Sequence, residues 1–233
     1  MGVLYEFAPY DTFYAGGTKA ALITICDLRN DDTNASIPLV AQGLLLMFPN
    51  VALQASAPIM TRRLCLRAPK LEDAFDIDPI YNDFDVARWI NVPHPCPTGF
   101  ALERFQRFLT FPPHERCFIL SKKSDKKQKA IGLILANWAD GEKPPIIGFF
   151  LASRFHGKGF MGEALDAAFK ELFQLTGADE IRASFYDGNI ASDVLLKKKG
   201  FKPVGTSSDF NRATGKTEQQ TDLILPRSVF EAK

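Results

Sequence analysis

The sequence predicts an α+β domain in which helices flank a mixed, mainly antiparallel sheet, and three observations carry that expectation. β-rich runs and helical patterns follow one another in the order ββ-loop-β-turn-α-β-α-β, which suits a mixed sheet and not an all-parallel one. A glycine-rich turn, Gly157-Lys158-Gly159, joins the apolar run Ile146–Leu151 to a stretch with Leu165, Ala168, Phe169, Leu172 and Phe173 at helical spacing. At 233 residues, with an ordinary soluble composition, the chain has room for one well-buried domain and an appendage.

The elements follow in order. A strand over 62–66 comes first, then a helix over 71–82 whose start, Leu71-Glu72-Asp73, sets acidic residues against the helix dipole. Val92-Pro-His-Pro-Cys-Pro97 breaks the chain. Thr98 is placed to cap a second helix with Phe100, Leu102, Phe105, Phe108 and Leu109 on its apolar face, ended by Pro112-Pro113. Residues 117–120 and 130–136 read as a hairpin closed by Lys122-Lys-Ser-Asp-Lys-Lys-Gln-Lys129, a solvated tip in preference to a phosphate-binding patch. The strand at 146–151, the glycine turn and a helix up to Gly177 come next. A strand over 181–185, a short helix over 191–199 closed by Gly200, and strands over 201–204 and 221–225 complete the set.

Residues 1–59 are patterned differently. Lys19 and Arg29 stand against Glu6, Asp11, Asp27, Asp31 and Asp32, −3 in all, which leaves +4 on 60–233 of a chain whose net charge is +1. Residues 34–60 carry no charge, but Pro38, Gln42, Gly43, Pro49, Asn50 and Gln54 interrupt the about twenty apolar residues that a membrane span needs. Glu6 and Asp11, with no basic n-region, argue against a secretory signal. The expected division is an N-terminal extension, 1–59, upstream of a natural start at Met60, and one domain over 60–233.

A net charge of +1 gives no global field for nucleic acid. Cys26, Cys65, Cys96 and Cys117 show no CxxC spacing, and His94, His114 and His156 do not join them at ligand spacing, so no metal is expected. Free thiols in a cytoplasmic protein are the expectation, with Cys65 and Cys117 acting as small buried hydrophobes and not as acyl carriers.

The glycine turn sits at a helix N-terminus, where first-turn N–H groups lack backbone acceptors and aligned peptide dipoles favour an anion. Gly157 and Gly159 permit positive φ and close approach of that anion to the amides, so the turn reads as a diphosphate cradle. Two signatures fit it. Gly157, Gly159 and Gly162 match GxGxxG, with Asp179 or Glu180 about twenty residues on, where a dinucleotide fold puts its ribose-binding acid. Against that, Ser153, Arg154, Phe155 and His156 separate strand from glycine, and too little chain follows for a doubly wound sheet. Arg154, Gly157 and Gly159 also match RxxGxG, and here the chain resembles the GNAT superfamily of acyl-CoA-dependent N-acetyltransferases, in which this loop holds the pyrophosphate of coenzyme A.

Two more blocks agree, so the resemblance covers roughly residues 60 to 226. Leu64, Leu66, Arg67, Asp73 and Ala74 are similar to the LxLR-then-DA opening of the RimJ/RimL-type branch, and Asn189, Ser192, Leu195, Lys198, Gly200 and Phe201 to its NxxS-then-KxGF segment. The resemblance implies a GNAT fold splayed at the CoA-binding strand, acetyl-CoA as acyl-donor substrate, and direct transfer to a primary amine, on a protein N-terminus or a small molecule, in a ternary complex. It implies main-chain contacts to the pantetheine arm near Phe149 and Leu151. It places the diphosphate on the loop of Arg154, Phe155, His156, Gly157, Lys158, Gly159 and Phe160, and further contacts at Asn189 and Ser192. A strand N–H at Leu151 or a neighbour is the implied oxyanion donor, and Ser192 the implied proton donor to the leaving thiolate.

The chain departs from the family at two places. Pro144-Pro-Ile146-Ile147-Gly148 stands where many relatives carry an acid, leaving a water chain ending on Asp140, Glu142 or Asp187 as the base. Leu196 stands where many carry a Tyr. These departures motivate an alternative, a CoA-binding regulatory protein without turnover. Plainer roles also stay open: Asn189 as a helix cap, Ser192 as a first-turn hydroxyl, Lys158 as a solvated side chain, and Lys197, Lys198 and Lys199 as charges offsetting a helix C-terminal dipole. Trp89, His94 and Phe100 flank the loop where the family forms its acceptor wall. No nucleic-acid or membrane partner is expected.

Overall fold

A computed structural model describes residues 57–109, 114–138 and 144–232. Most of the expected N-terminal extension lies outside the described residues, as do Pro112, Pro113, Asp140, Glu142 and Cys26.

The described strands are β1 (Ile59–Met60), β2 (Leu64–Arg67), β3 (Glu115–Lys122), β4 (Ala130–Asn137), β5 (Ile146–Leu151), β6 (Glu180–Tyr186), β7 (Lys202–Asn211) and β8 (Lys216–Pro226). They form one sheet in the order β1-β2-β3-β4-β5-β6-β8-β7. Every pairing is antiparallel except β5 with β6. The helices are α1 (Asp73–Tyr81), α2 (Phe84–Ala87), α3 (Phe100–Leu109), α4 (Phe160–Thr176), α5 (Ile190–Lys199) and α6 (Arg227–Glu231).

Two apolar clusters cover the two faces of the sheet, because strand side chains alternate. Phe118 and Leu120 of β3 point into the cluster under α4, with Leu165, Phe169, Leu172 and Phe173. Cys117 and Ile119 point the other way, into the cluster under α1 and α3 with Ile77, Tyr81, Phe105 and Phe108. Burial on both faces makes the central strands almost continuously apolar, and each large side chain so buried contributes about 1.5–3 kcal/mol.

The LxLR-then-DA block has a physical meaning here. Arg67 Nη1 donates to Asp73 Oδ2 at 2.8 Å and Nη2 to Asp73 Oδ1 at 2.5 Å, while the Lys70 amide donates to the same carboxylate at 2.7 Å. This buried fork pins the start of α1 to β2.

Several bounds differ from expectation. α3 starts one residue later than a Thr98 cap implies: Glu103 N donates to Gly99 O at 2.9 Å, so Gly99, at φ 87°, occupies the capping position. β7 and β8 run far beyond 201–204 and 221–225 as an exposed polar hairpin, held by main-chain pairing that leaves no apolar alternation to read. α2 and α6 span 4 and 5 residues, too short to show a helical period. β1 straddles the expected division at residue 59, pairing with β2 through Ile59↔Leu66 and Met60↔Cys65.

Candidate active site

β5 pairs with β6 at only two rungs, Ile146↔Arg182 and Ile147↔Ala183, and the two strands then separate. On its other side β5 stays paired with β4 as far as Gly132↔Leu151, and Ala152 N continues the ladder to Ile131 O at 2.9 Å. Antiparallel bonds alternate, so the amides of Gly148 and Phe150 face β4 while those of Phe149 and Leu151 face the opening. Gly132 permits this arrangement: a Cβ there would overlap the Phe150 carbonyl oxygen and lie 2.8 Å from Leu151 Cα.

After β5 the chain makes a 3-10 turn at Ser153–Phe155 and reaches His156, whose Nε2 donates to Leu151 O at 2.8 Å. A carbonyl only accepts, so the proton sits on Nε2. The bond ties the turn to the strand end and leaves the Leu151 N–H facing the opening. Gly157 and Gly159 both hold φ near 70° (70° and 73°), a backbone that L side chains resist. Gly159 precedes α4 without a side-chain cap, so the first-turn amides of α4 are presented outward as donors.

The side chains of the turn pack on one another. The Arg154 guanidinium lies 5.0 Å from the Phe155 ring centre, Lys158 Nζ donates to Arg154 O at 2.7 Å, and Phe155 meets Phe160 edge-on at 6.1 Å. The turn therefore offers main-chain donors. Behind it, Glu163 of α4 accepts from Thr61 Oγ1 at 2.6 Å, from Arg63 N at 2.7 Å and from Arg63 Nε at 2.7 Å. Burial pushes the Glu163 carboxyl up, but the hydrogen bonds from Thr61 and Arg63 outweigh it and hold the group below its ordinary value.

α5 begins across the opening. Asn189 Oδ1 accepts from Ser192 N at 3.1 Å, which makes Asn189 the helix cap, and Ser192 is half-buried on the first turn. Lys197 pairs with Asp193 at 2.9 Å and Lys199 with Asp166 at 2.6 Å, in keeping with surface charges at a helix end. Leu196 is buried in the core at 1% exposure, so the place of the relatives' Tyr faces inward.

A cavity of about 390 Å³ is lined by Phe84, Arg88, Trp89, Asp187, Glu218 and their neighbours. Of the three aromatic candidates, Trp89 lines it, His94 lies tilted against Phe84 at 5.1 Å, and Phe100 is core, edge-on to Tyr81 at 5.8 Å. Glu218 is held by Asn211 Nδ2 at 3.0 Å and Thr214 Oγ1 at 2.7 Å, and Asp187 by Thr221 Oγ1 at 3.1 Å. Sequence reasoning missed Phe84, Arg88, Glu218, Thr61, Arg63 and Gly132. Arg88 and Phe84 belong to or border the short α2, Glu218 lies in a polar strand, and the other three act through contacts 18 to 102 residues away in sequence.

Residues 63–202 match the family model described as an acetyltransferase (GNAT) domain. The chain belongs to the GNAT acetyltransferase family. The uncharacterized N-acetyltransferase p20 of Bacillus licheniformis is 26% identical over 161 residues, 68% of this chain and 89% of that protein. The spermidine N-acetyltransferase of Vibrio cholerae, solved with CoA and spermine, superposes with a TM-score of 0.62 at 19% identity, covering 72% of this chain and 98% of that one. The ribosomal-protein-S5-alanine acetyltransferase of Vibrio fischeri gives 0.61 at 18% identity, covering 75% and 99%. At these identities the structural likeness is one of fold.

The acyl donor of the GNAT family is acetyl-CoA, a substrate, and the splayed β5 with its uncapped glycine turn fits an extended arm ending in a diphosphate. A doubly wound dinucleotide fold is ruled out by the sheet, in which β5 with β6 is the one parallel pair among the described residues. Among the described residues no helix is long and apolar enough to cross a membrane.

Proposed function

We propose that this GNAT domain transfers the acetyl group of acetyl-CoA to a primary amine by direct attack, and that a protein N-terminal α-amine of the kind taken by the RimJ/RimL-type branch is its first acceptor class. The observation that carries the reading is the opening between β5 and β6, with the outward amides of Phe149 and Leu151 on one wall and the glycine turn at its end.

The pantetheine arm adds to β5 as a strand would, and the diphosphate rests on the amides from Gly157 to Phe160. The amine nitrogen attacks the thioester carbon from the side of the cavity holding Trp89, Asp187 and Glu218. A tetrahedral oxyanion forms and accepts the Leu151 N–H; as it collapses the C–S bond breaks, and the CoA thiolate takes a proton from Ser192, whose oxygen takes one back from water. The proton lost by the amine leaves through water to Asp187. Ile146 and Ile147 stand on β5 where many relatives carry an acid, so no carboxylate of that strand serves the amine. An α-amine, with a pKa of about 7.7–8.0, is neutral near pH 7 far more often than a lysine-like amine at about 10.4, which favours the N-terminal acceptor.

The test is thermal unfolding of the full chain with acetyl-CoA, repeated for Gly159→Glu, followed by free-CoA release with N-terminal peptides and small amines. Stabilisation by acetyl-CoA that is lost in Gly159→Glu, with CoA release on peptides, is the expected result. Absence of any stabilisation at saturating acetyl-CoA would sink the proposal. The inward-facing Leu196 and the missing acid favour a second reading, a CoA-binding regulator, which predicts the same stabilisation and no CoA release with any amine.

A further inference from the structure

Arg63 belongs to none of the sequence blocks, yet it closes the back of the glycine turn. It stands just before β2, donates from Nε to Glu163 Oε2 and from Nη1 to Lys158 O at 2.9 Å, and holds its guanidinium carbon 4.4 Å from the Phe160 ring centre. Its Nη2 stands 3.5 Å from the place a Cβ on Gly159 would take. One guanidinium therefore touches Lys158 and Phe160 on either side of Gly159, and Glu163 in the first turn of α4.

Two consequences follow from elementary chemistry. A trans peptide points its C=O and the following N–H in opposite directions. Holding the Lys158 carbonyl toward Arg63 therefore turns the Gly159 N–H away from Arg63, toward the outer side of the loop. Glu163 meanwhile puts a carboxylate within one turn of the helix N-terminus, where a ligand diphosphate would meet like charge; the Arg63 guanidinium offsets that charge at contact distance.

We propose that Arg63 is a positioning residue for the diphosphate of acetyl-CoA, aiming the Gly159 amide through the Lys158 carbonyl and cancelling the charge of Glu163. The proposal rests on the reading that this turn receives CoA. It requires that Arg63 act on the diphosphate end of the ligand and not on the arm.

The experiment measures Kd by titration calorimetry for CoA and for pantetheine, which shares the arm but lacks the diphosphate. The proteins are the full-length chain, Arg63→Met, Arg63→Lys and the double variant Arg63→Met/Glu163→Gln, with the thermal midpoint of each apo-protein as a check on folding. Arg63→Met is expected to weaken CoA about tenfold or more, the scale of one lost charge-assisted bond, while pantetheine is unchanged. Arg63→Lys, which keeps the charge and loses the fork, falls between, and the double variant recovers part of the loss because the uncompensated carboxylate is gone. Equal weakening of both ligands, or CoA affinity unchanged in Arg63→Met and in Arg63→Lys, overturns the proposal. Failure of the unaltered chain to bind CoA is a separate result that removes the acetyltransferase reading together with this one.

Discussion

Glu163 carries an ionised carboxylate at the end of α4 beside the proposed diphosphate turn, and its hydrogen bonds bear on how the protein responds to acid. Because its folded pKa is depressed, its contribution to stability is present above the unfolded carboxyl value of about 4.3 and is lost as pH falls through the folded value. Thermal midpoints of Glu163→Gln are therefore expected below those of the unaltered protein at pH 7 and to converge on them in acid, below that unfolded value. Ser192 carries a different expectation. If its hydroxyl protonates the leaving thiolate, Ser192→Ala lowers kcat by about 100-fold or more, a larger factor than its effect on the Kd for acetyl-CoA. Unchanged kcat would leave Ser192 as a first-turn hydroxyl beside the Asn189 cap. That cap was visible in the sequence as one of two open roles, and the Asn189–Ser192 bond fills the first without using the Asn189 side-chain nitrogen.

β2 and α1 depend on one buried ion pair, so Asp73→Ala, which strands Arg67 at 7% exposure, is expected to cost about 3–5 kcal/mol in denaturant unfolding. Gly132→Ala forces β4 and β5 apart at the open end of the sheet; a loss of about 1–3 kcal/mol is expected, with weaker acetyl-CoA binding measured alongside. The contrast between these two positions explains what could be read beforehand. Arg67 and Asp73 lie six residues apart and formed a recognisable block, as did Arg154, Gly157 and Gly159. β5 was legible from its apolar run with bounds at Ile146–Leu151, and α4 from the spacing of Leu165, Phe169, Leu172 and Phe173. Gly132 gave no sign, because a glycine in an apolar strand says nothing about which neighbour crowds it. The β7–β8 hairpin was cut short in expectation since Ser207, Ser208, Gln219 and Gln220 offer no apolar alternation, although the main chain pairs throughout. The cavity wall at Arg88 and Glu218 was missed for the same reason: one comes from beside a one-turn helix, the other from that polar hairpin.

The whole domain buries Cys65 and Cys117, and burial pushes the Cys117 thiol far up, while half-exposed Cys96 is pushed up to about 11 by burial with Asp78 nearby. Alkylation of the native protein with iodoacetamide is expected to label Cys96 before Cys65 or Cys117, as read by peptide mass spectrometry; labelling of Cys117 at the rate of Cys96 would contradict the packing of the sheet. Exposed strand edges usually invite other chains, and β7 at the rim of this sheet manages the risk with polar side chains. The gap between β5 and β6 is an edge of another kind. It lies in the middle of the sheet, with Arg182 and Ala183 still tethering the strands at its closed end, so a second protein chain would have to thread between two walls to reach it. A sheet left unfinished from within offers unpaired main-chain groups to a slender, extended molecule, which is the form of the proposed acyl donor.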